Sequence, residues 1–331
     1  MTKSIRSRAL RTASGLLLAG TVTANAQDVV IWGGFPELTE YYERVAESLS
    51  GKYPDLNVIV EPIGLRDHEK RVALGLSSGL DDATVLELIG STANRYIVND
   101  LIQPAPESVS TFVNDASNFE AFFQTTATVN GSVYGVPVFR GQGALFYNTD
   151  MLAAAGLEGP PKTMDEYDEY AAKLTQRDAD GNPTVSGWSL RLSGGGGGIA
   201  EKFWINLHQH GGTLLEKDGN NYRAGYANEQ GLAALKQYVD AVSGAKTVTV
   251  EMPADAAAFQ REQTAMFIRE SWVIGDTAKK APDLNYKTAV LPRGSIALPV
   301  NLYVSGGSDE AQAAAWDFAI AANEPEHLIW M

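Results

Sequence analysis

The sequence predicts an α/β protein of about two domains, and three observations predict it. Short apolar, β-branched runs alternate with segments whose apolar residues recur at helical spacing, the pattern of a largely parallel sheet with helices on both faces. The length of 331 residues suits about two domains. A chain that is 44% hydrophobic and 20% charged can build cores, which excludes general disorder. The balance of 40 Asp+Glu against 26 Lys+Arg leaves a net charge of −14, which opposes a hold on phosphate backbones and argues against nucleic acid as a partner. The absence of cysteine excludes disulfides, thiolate metal sites, cysteine nucleophiles and lipid-modified cysteines.

The chain opens with a basic stretch (Lys3, Arg6, Arg8, Arg11), a short apolar run around Leu16-Leu17-Leu18, and Ala24-Asn25-Ala26 as a small-x-small site. This is the pattern of a signal peptide spanning 1–26 and cleaved after Ala26. Thr21, Thr23 and Asn25 interrupt the apolar run well before the about 20 residues that a membrane helix needs. An exported protein with no cysteine to carry a lipid needs an outer membrane to retain it, so a Gram-negative periplasm is the expected home.

Val29-Val30-Ile31-Trp32 reads as the first strand. Leu38, Tyr41, Tyr42, Val45 and Leu49 then mark a helix that Gly51 and Pro54 stop. Residues 56–60 form the next strand, 68–77 a second helix and 83–88 a third strand, giving β-α-β-α-β. Ligands bind such sheets at the carboxyl ends of the strands, where Trp32 and Glu87 stand. The pattern restarts with a strand at 145–148. Thr163 and Glu166, at capping-box spacing, then open a helix carrying Tyr167, Tyr170, Ala171 and Leu174. Helices at 199–209, 228–242 and 254–263 and a strand at 265–268 complete a second α/β domain.

Several fragments approach catalytic motifs without completing them. His68-Glu69-Lys70-Arg71-Val72 has valine where a zinc helix needs its second histidine. In Gly187-Trp188-Ser189-Leu190-Arg191 an arginine replaces the glycine that a nucleophile elbow requires. Asp178-Ala179-Asp180-Gly181-Asn182 has its glycine too early for a calcium loop and reads as a surface turn. The Gly194–Gly198 run lacks the Lys-Ser/Thr of a phosphate loop and reads as a flexible segment before a helix. No metal or cofactor is expected.

A resemblance then becomes specific. Val133-Tyr134-Gly135-Val136-Pro137, the run from Leu145 through Leu157, and Pro160-Pro161-Lys162-Thr163-Met164-Asp165-Glu166-Tyr167 resemble the signature of family 1 extracellular solute-binding proteins, the maltose-binding-protein-like carbohydrate receptors of ABC importers. The segment from Phe259 to Trp272 resembles their Phe-x-x-Gly-x-x-Ala-Met motif ending in Gly-x-Trp, with Glu262 and Ser271 where glycine is usual, and Ala314-Ala315-Trp316-Asp317-Phe318 resembles their late helix.

The resemblance implies a two-lobed periplasmic binding protein fold of type II with a hinge between the lobes. Residues 27–137 with 305–331 would form the N-terminal lobe and 138–304 the C-terminal lobe, with crossings near 137–143 and 298–304. It also implies that more helices follow Met331, so the sequence is expected to be a fragment or a truncated reading frame. The implied function is capture of a sugar or oligosaccharide by hinge closure and delivery to inner-membrane ABC permease subunits, by a monomer that performs no chemistry. The alternatives are a receptor of the same fold for a polyamine or other solute, and an exported glycoside hydrolase.

A sugar demands placed polar groups for its hydroxyls and aromatic rings for its C–H faces. The candidates are Trp32 and Glu87 from the first lobe, Arg140 and Gln142 in the crossing, and Trp188, Arg191 and Trp272 from the second lobe. Asn301 and Tyr303, near the return crossing, complete the set.

Overall fold

The computed structural model describes residues 28–331 except 56, 193–195 and 254. The expected signal peptide lies outside the described residues. So do the first two glycines of the Gly194–Gly198 run.

The first half follows the predicted order. Strand β1 (Val29–Gly33) leads through a 3-10 turn at Pro36–Leu38 into α1 (Thr39–Leu49), followed by β2 (Val58–Pro62), α2 (Leu65–Ser78), β3 (Ala83–Ile89) and α3 (Gly90–Ile97). β1 pairs in parallel with both β2 and β3, so the three strands form the expected doubly wound unit. Two more helices, α4 (Glu107–Asn114) and α5 (Ala121–Ala127), and a small hairpin of β4 (Thr128–Val129) and β5 (Ser132–Val133) lead to β6 (Val136–Asn148).

β6 is longer than the predicted strand because residues 136–142 find a partner that sequence periodicity cannot show. That partner is β13 (Ala297–Ser305), which returns antiparallel alongside it, Ala297 opposite Gln142 and Leu302 opposite Val136. β13 also pairs with β3, so the seven-stranded sheet runs β2-β1-β3-β13-β6. The later half of β6 then takes β11 (Met266–Glu270) and β12 (Tyr286–Ala289) as antiparallel neighbours.

Between these strands lie α6 (Thr149–Ala154), α7 (Met164–Leu174), the pair β7 (Gln176–Arg177) and β8 (Pro183–Val185), and α8 (Gly196–Gln209). The pair β9 (Leu215–Asp218) and β10 (Asn221–Ala224), then α9 (Glu229–Val239), α10 (Asp255–Gln260) and α11 (Trp272–Lys280) follow. α12 (Asp309–Ala321) and α13 (Pro325–Leu328) end the chain. The start of α7 is capped as predicted: Thr163 Oγ1 accepts the Glu166 N–H at 3.2 Å. Glu166 reaches one residue further than a capping box requires and accepts the Lys162 N–H at 2.5 Å.

The cores divide along the sheet. Val29, Ile31, Tyr41, Tyr42, Val136, Val300, Leu302 and the buried alanines of α12 pack on one face of the first part, and Val72, Leu86, Leu88, Tyr96 and Tyr303 on the other. Leu145, Tyr167, Trp188, Ile205, Met266 and Ile268 form a separate core around the later half of β6, flanked by Phe146, Phe259, Phe267 and Val273. Each large side chain fully buried in this way contributes about 1.5–3 kcal/mol. Two bodies with their own cores are therefore joined through the paired strands β6 and β13. Among the described residues, no helix is long and apolar enough to cross a membrane.

Candidate functional site

At the carboxyl end of β3, Glu87 has no exposed surface. Its Oε2 accepts the N–H of Gly34 at 2.6 Å and of Phe35 at 3.1 Å, and its Oε1 accepts the Tyr42 hydroxyl at 2.5 Å. Burial pushes this carboxyl up to about 7, against the three hydrogen bonds that favour the charged form. The carboxylate is thus occupied by the chain itself, tying the turn after β1 to the end of β3.

His68 packs behind it, with Nε2 2.7 Å from the Glu87 carbonyl, and burial lowers the imidazole to about 4. At neutral pH the ring is uncharged, so Nε2 donates to that carbonyl. A Cβ on Gly34 would stand 2.8 Å from the ring, which is why this turn carries a glycine. The apparent zinc helix is in fact a brace for the first strand ends.

Trp32 lies on the opposite face of β1 from Ile31, beneath the Arg71 guanidinium at 4.6 Å, and packs into the α2–α3 core. Asn301 and Tyr303 are enclosed: the Asn301 amide donates to the Thr126 carbonyl and the Tyr303 hydroxyl, each at 3.0 Å. Trp188 is buried against Tyr167, ring centroids 4.8 Å apart, and Gly187 beside it presses on the α7 backbone at Ala171. Arg191 adopts φ 49°, and its guanidinium lies so close to Gly198 at the start of α8 that a Cβ there would meet it at 2.3 Å. Arg140 and Gln142 are exposed on β6, with Arg140 5.8 Å and 5.9 Å from the rings of Phe122 and Phe123.

Where the two bodies meet, a different set converges. The 3-10 turn after β1 lies against α11. Phe35, at the base of that turn, meets Phe139 of β6 edge to face at 5.2 Å. Because strand side chains alternate, Phe139, Gly141 and Gly143 share the face opposite Arg140 and Gln142. Gly141 has no side chain, and Glu270 lies over it, its Cβ and Cγ 3.8 Å from where a Gly141 Cβ would stand. Glu270 Oε2 is 3.4 Å from the Trp272 indole N–H, and the Arg269 guanidinium covers one face of that half-buried indole at 4.9 Å.

Of the predicted residues, Trp272 stands in this convergence. Phe35, Phe139 and Glu270 are additions. Counting back from Trp272, the glycine of Gly-x-Trp falls at Glu270 and not at Ser271 as the sequence reading placed it, which is the signal that could have found Glu270. Glu262 fills the other glycine position in the left-handed conformation, φ 57°, and accepts a hydrogen bond from the Asn148 amide at 3.3 Å. A groove of about 450 Å³ lies elsewhere, between α1 and edge strand β2, lined by Glu43, Glu47, Tyr53 and Val58 among others. It is far from the convergence and is not the candidate site.

Two separate cores joined by paired crossing strands make this a two-body α/β fold. Residues 45–330 match the family described as bacterial extracellular solute-binding protein, and the chain belongs to that family. A binding protein of Brucella abortus (strain 2308) is 23% identical over 260 residues, which are 77% of this chain and 60% of that protein. The chain thus spans about 60% of the length of that relative. The lactose-binding protein of Rhizobium radiobacter is 25% identical over 330 residues, 96% of this chain and 72% of its own length. Among solved structures, an ABC transporter solute-binding protein from Thermotoga lettingae bound with α-D-tagatose has a TM-score of 0.72 at 22% identity, covering 92% of this chain and 78% of that one. Maltose-bound MalE3 of T. maritima has a TM-score of 0.71 at 20% identity, with the same coverage. The fold is that of these two-lobed proteins.

Proposed function

We propose that this chain is the periplasmic substrate-binding component of an ABC importer, which captures a sugar or oligosaccharide between its lobes and delivers it to the inner-membrane permease without chemical change. The observation that carries the reading is the junction itself: an indole backed by a guanidinium on one face, at the start of a helix that lies against the turn after β1, beside two strands that link separate cores. An aromatic face of this kind suits the C–H surface of a pyranose ring. The lactose-binding relative, an arabinooligosaccharide-binding protein of Bacillus subtilis at 23% identity, and the tagatose- and maltose-bound neighbours support a carbohydrate over a polyamine.

The lobes in this reading are 27–137 with 305–331, and 138–304. The packing of Val300, Leu302 and Val304 in the first core moves the second division toward Leu298. Closure follows ligand binding when contacts form in the closed state alone, since equal affinity for both states shifts nothing.

Calorimetric titration with D-galactose, lactose and maltotriose, and with putrescine as the non-sugar arm, tests the function. Saturable binding of a sugar is expected. Binding of putrescine with no response to any sugar would replace the reading by a polyamine receptor, and release of reducing sugar from an oligosaccharide would replace it by a hydrolase.

A further inference from the structure

The corner between α12 and α13, on the first body, gathers side chains that the fold itself does not use. Ala322 caps α12 and its carbonyl accepts the Tyr41 hydroxyl, while the Asn323 amide donates to the Pro137 carbonyl at 2.9 Å, so the corner is fixed to α1 and to the start of β6. Glu324, Pro325, Glu326 and His327 then open α13, with Pro325 at the first helical position, where its locked φ presets the turn. The Glu324 carbonyl accepts the backbone N–H of His327 at 2.9 Å and of Leu328 at 3.1 Å, but its carboxylate makes no capping hydrogen bond. These four residues match no metal motif, so the sequence alone raises no expectation of what the corner holds.

His327 is 4% exposed, and both of its ring nitrogens are buried without a hydrogen-bond partner among the described residues. A neutral imidazole offers one N–H and one lone pair, and leaving them unused in a dry place is costly. Nε2 faces Glu326 Oε1 at 3.9 Å, beyond hydrogen-bond reach. One oxygen each from Glu324 and Glu326 and one ring nitrogen of His327 lie within 4.8 Å of one another. Among the described residues neither carboxylate is paired with a lysine or arginine, so no side-chain cation offsets the two like charges. Arg44 of α1 lies instead over the Trp330 ring, 4.8 Å from its centroid.

We propose that Glu324, Glu326 and His327 bind a divalent cation of the zinc class at this corner, whatever solute the protein carries. Imidazole nitrogen and carboxylate oxygens hold Zn²⁺ at about 2.0–2.2 Å, which sets ligand atoms about 3.4 Å apart around a tetrahedral ion. Glu326 is 73% exposed at its side chain, and Glu324 is also exposed, so rotation of these two carboxylates onto the fixed imidazole closes the site. Three protein ligands leave the fourth position to water. Calcium and magnesium take shells of six or more oxygens, which the buried imidazole does not suit. A bound zinc ion uses the buried nitrogen lone pair and offsets both carboxylates. Because the helical turn brings the ligands together, binding favours the folded corner and stabilises the protein.

The test is calorimetric titration of zinc chloride into the untagged, chelator-stripped chain, with calcium chloride as the hard-cation arm and thermal unfolding as a second readout. One Zn²⁺ per chain is expected to bind, raising Tm by about 3 °C at saturation, while Ca²⁺ binds about tenfold or more weakly and leaves Tm unchanged. Glu326→Gln, at an exposed position safe for folding, is expected to weaken Zn²⁺ binding about tenfold and to shrink the Tm shift. The double variant Glu324→Gln with Glu326→Gln, and His327→Gln with its fold checked by circular dichroism, are expected to abolish binding. His208→Gln, which removes a histidine of α8, is expected to leave it intact. No saturable Zn²⁺ binding overturns the proposal, as does binding that Glu326→Gln and the double glutamate variant leave unchanged or that His208→Gln removes. Ca²⁺ bound as tightly as Zn²⁺ through the same residues overturns the assigned class of ion.

Discussion

Two buried carboxylates, one in each body, solve the same problem in opposite ways. Glu87 in the first body has no cation within its hydrogen-bonding set; two backbone amides and a tyrosine hydroxyl satisfy it, and burial still drives its carboxyl up to about 7. Glu270 in the second body is paired with Lys202 and is held below its ordinary value. The difference separates two uses of a buried charge. A carboxylate wrapped in main-chain donors fixes a turn and has no oxygen left over, whereas one beside a lysine, an arginine and an indole belongs to an adjustable surface of side chains.

The comparison is broken most forcefully by removing Glu87. Glu87→Ala would strand the Gly34 and Phe35 amides and the Tyr42 hydroxyl in a dry site and should cost about 4 kcal/mol, read as a lowered urea midpoint. A loss of less than about 1 kcal/mol would mean that the turn after β1 is held by other contacts. In the second body, Lys202→Met would leave Glu270 and Glu201 without their shared ammonium and should cost about 3 kcal/mol. The double variant Lys202→Met with Glu270→Met should recover part of that loss, because apolar groups replace the nearly buried pair and leave only Glu201, 24% exposed, without its ammonium.

The pH dependence sharpens the same contrast. Between the ordinary carboxyl value of 4.5 and about 7, folded Glu87 holds a proton that the unfolded chain has released. The contribution of Glu87 to stability therefore falls as pH rises through this window, by up to about 3 kcal/mol. Glu270, with its value depressed, contributes stability above the unfolded value that is lost as pH falls through the folded one. Chemical denaturation across pH 4–8 should show the Glu87 slope in the wild type and a flattened curve in Glu87→Gln; an unchanged curve in that variant would assign the slope elsewhere. The smallest effect is expected of Tyr42→Phe, which removes one of the three hydrogen bonds, about 1 kcal/mol, and moves the Glu87 window further toward alkaline pH.

Much of this architecture was legible because its cause is local. The β-α-β-α-β start follows from periodicity, and the α7 cap from Thr163 three residues before Glu166. The full length of β6 was not legible, because its first half is a strand by virtue of pairing with β13 about 160 residues away. Residue type and strand-end position nominated Glu87, Trp188, Asn301 and Tyr303, and the structure encloses all four. Nothing in the sequence near Glu87 reveals that Gly34, Phe35 and Tyr42 converge on it. Trp272 is the first residue of α11, where its motif places it at the start of a helix. Glu270 lay within the same motif and was passed over, since its meaning depends on Lys202, 68 residues earlier.

The central claim is that the junction around Trp272 is where ligand binds. Isothermal titration of the wild type and Trp272→Ala with the neutral sugar that binds the wild type tests it most directly. The account predicts that Trp272→Ala weakens binding at least tenfold, about 1.4 kcal/mol, with the fold intact by circular dichroism. Unchanged affinity in that variant would remove Trp272 from the site and contradict the account.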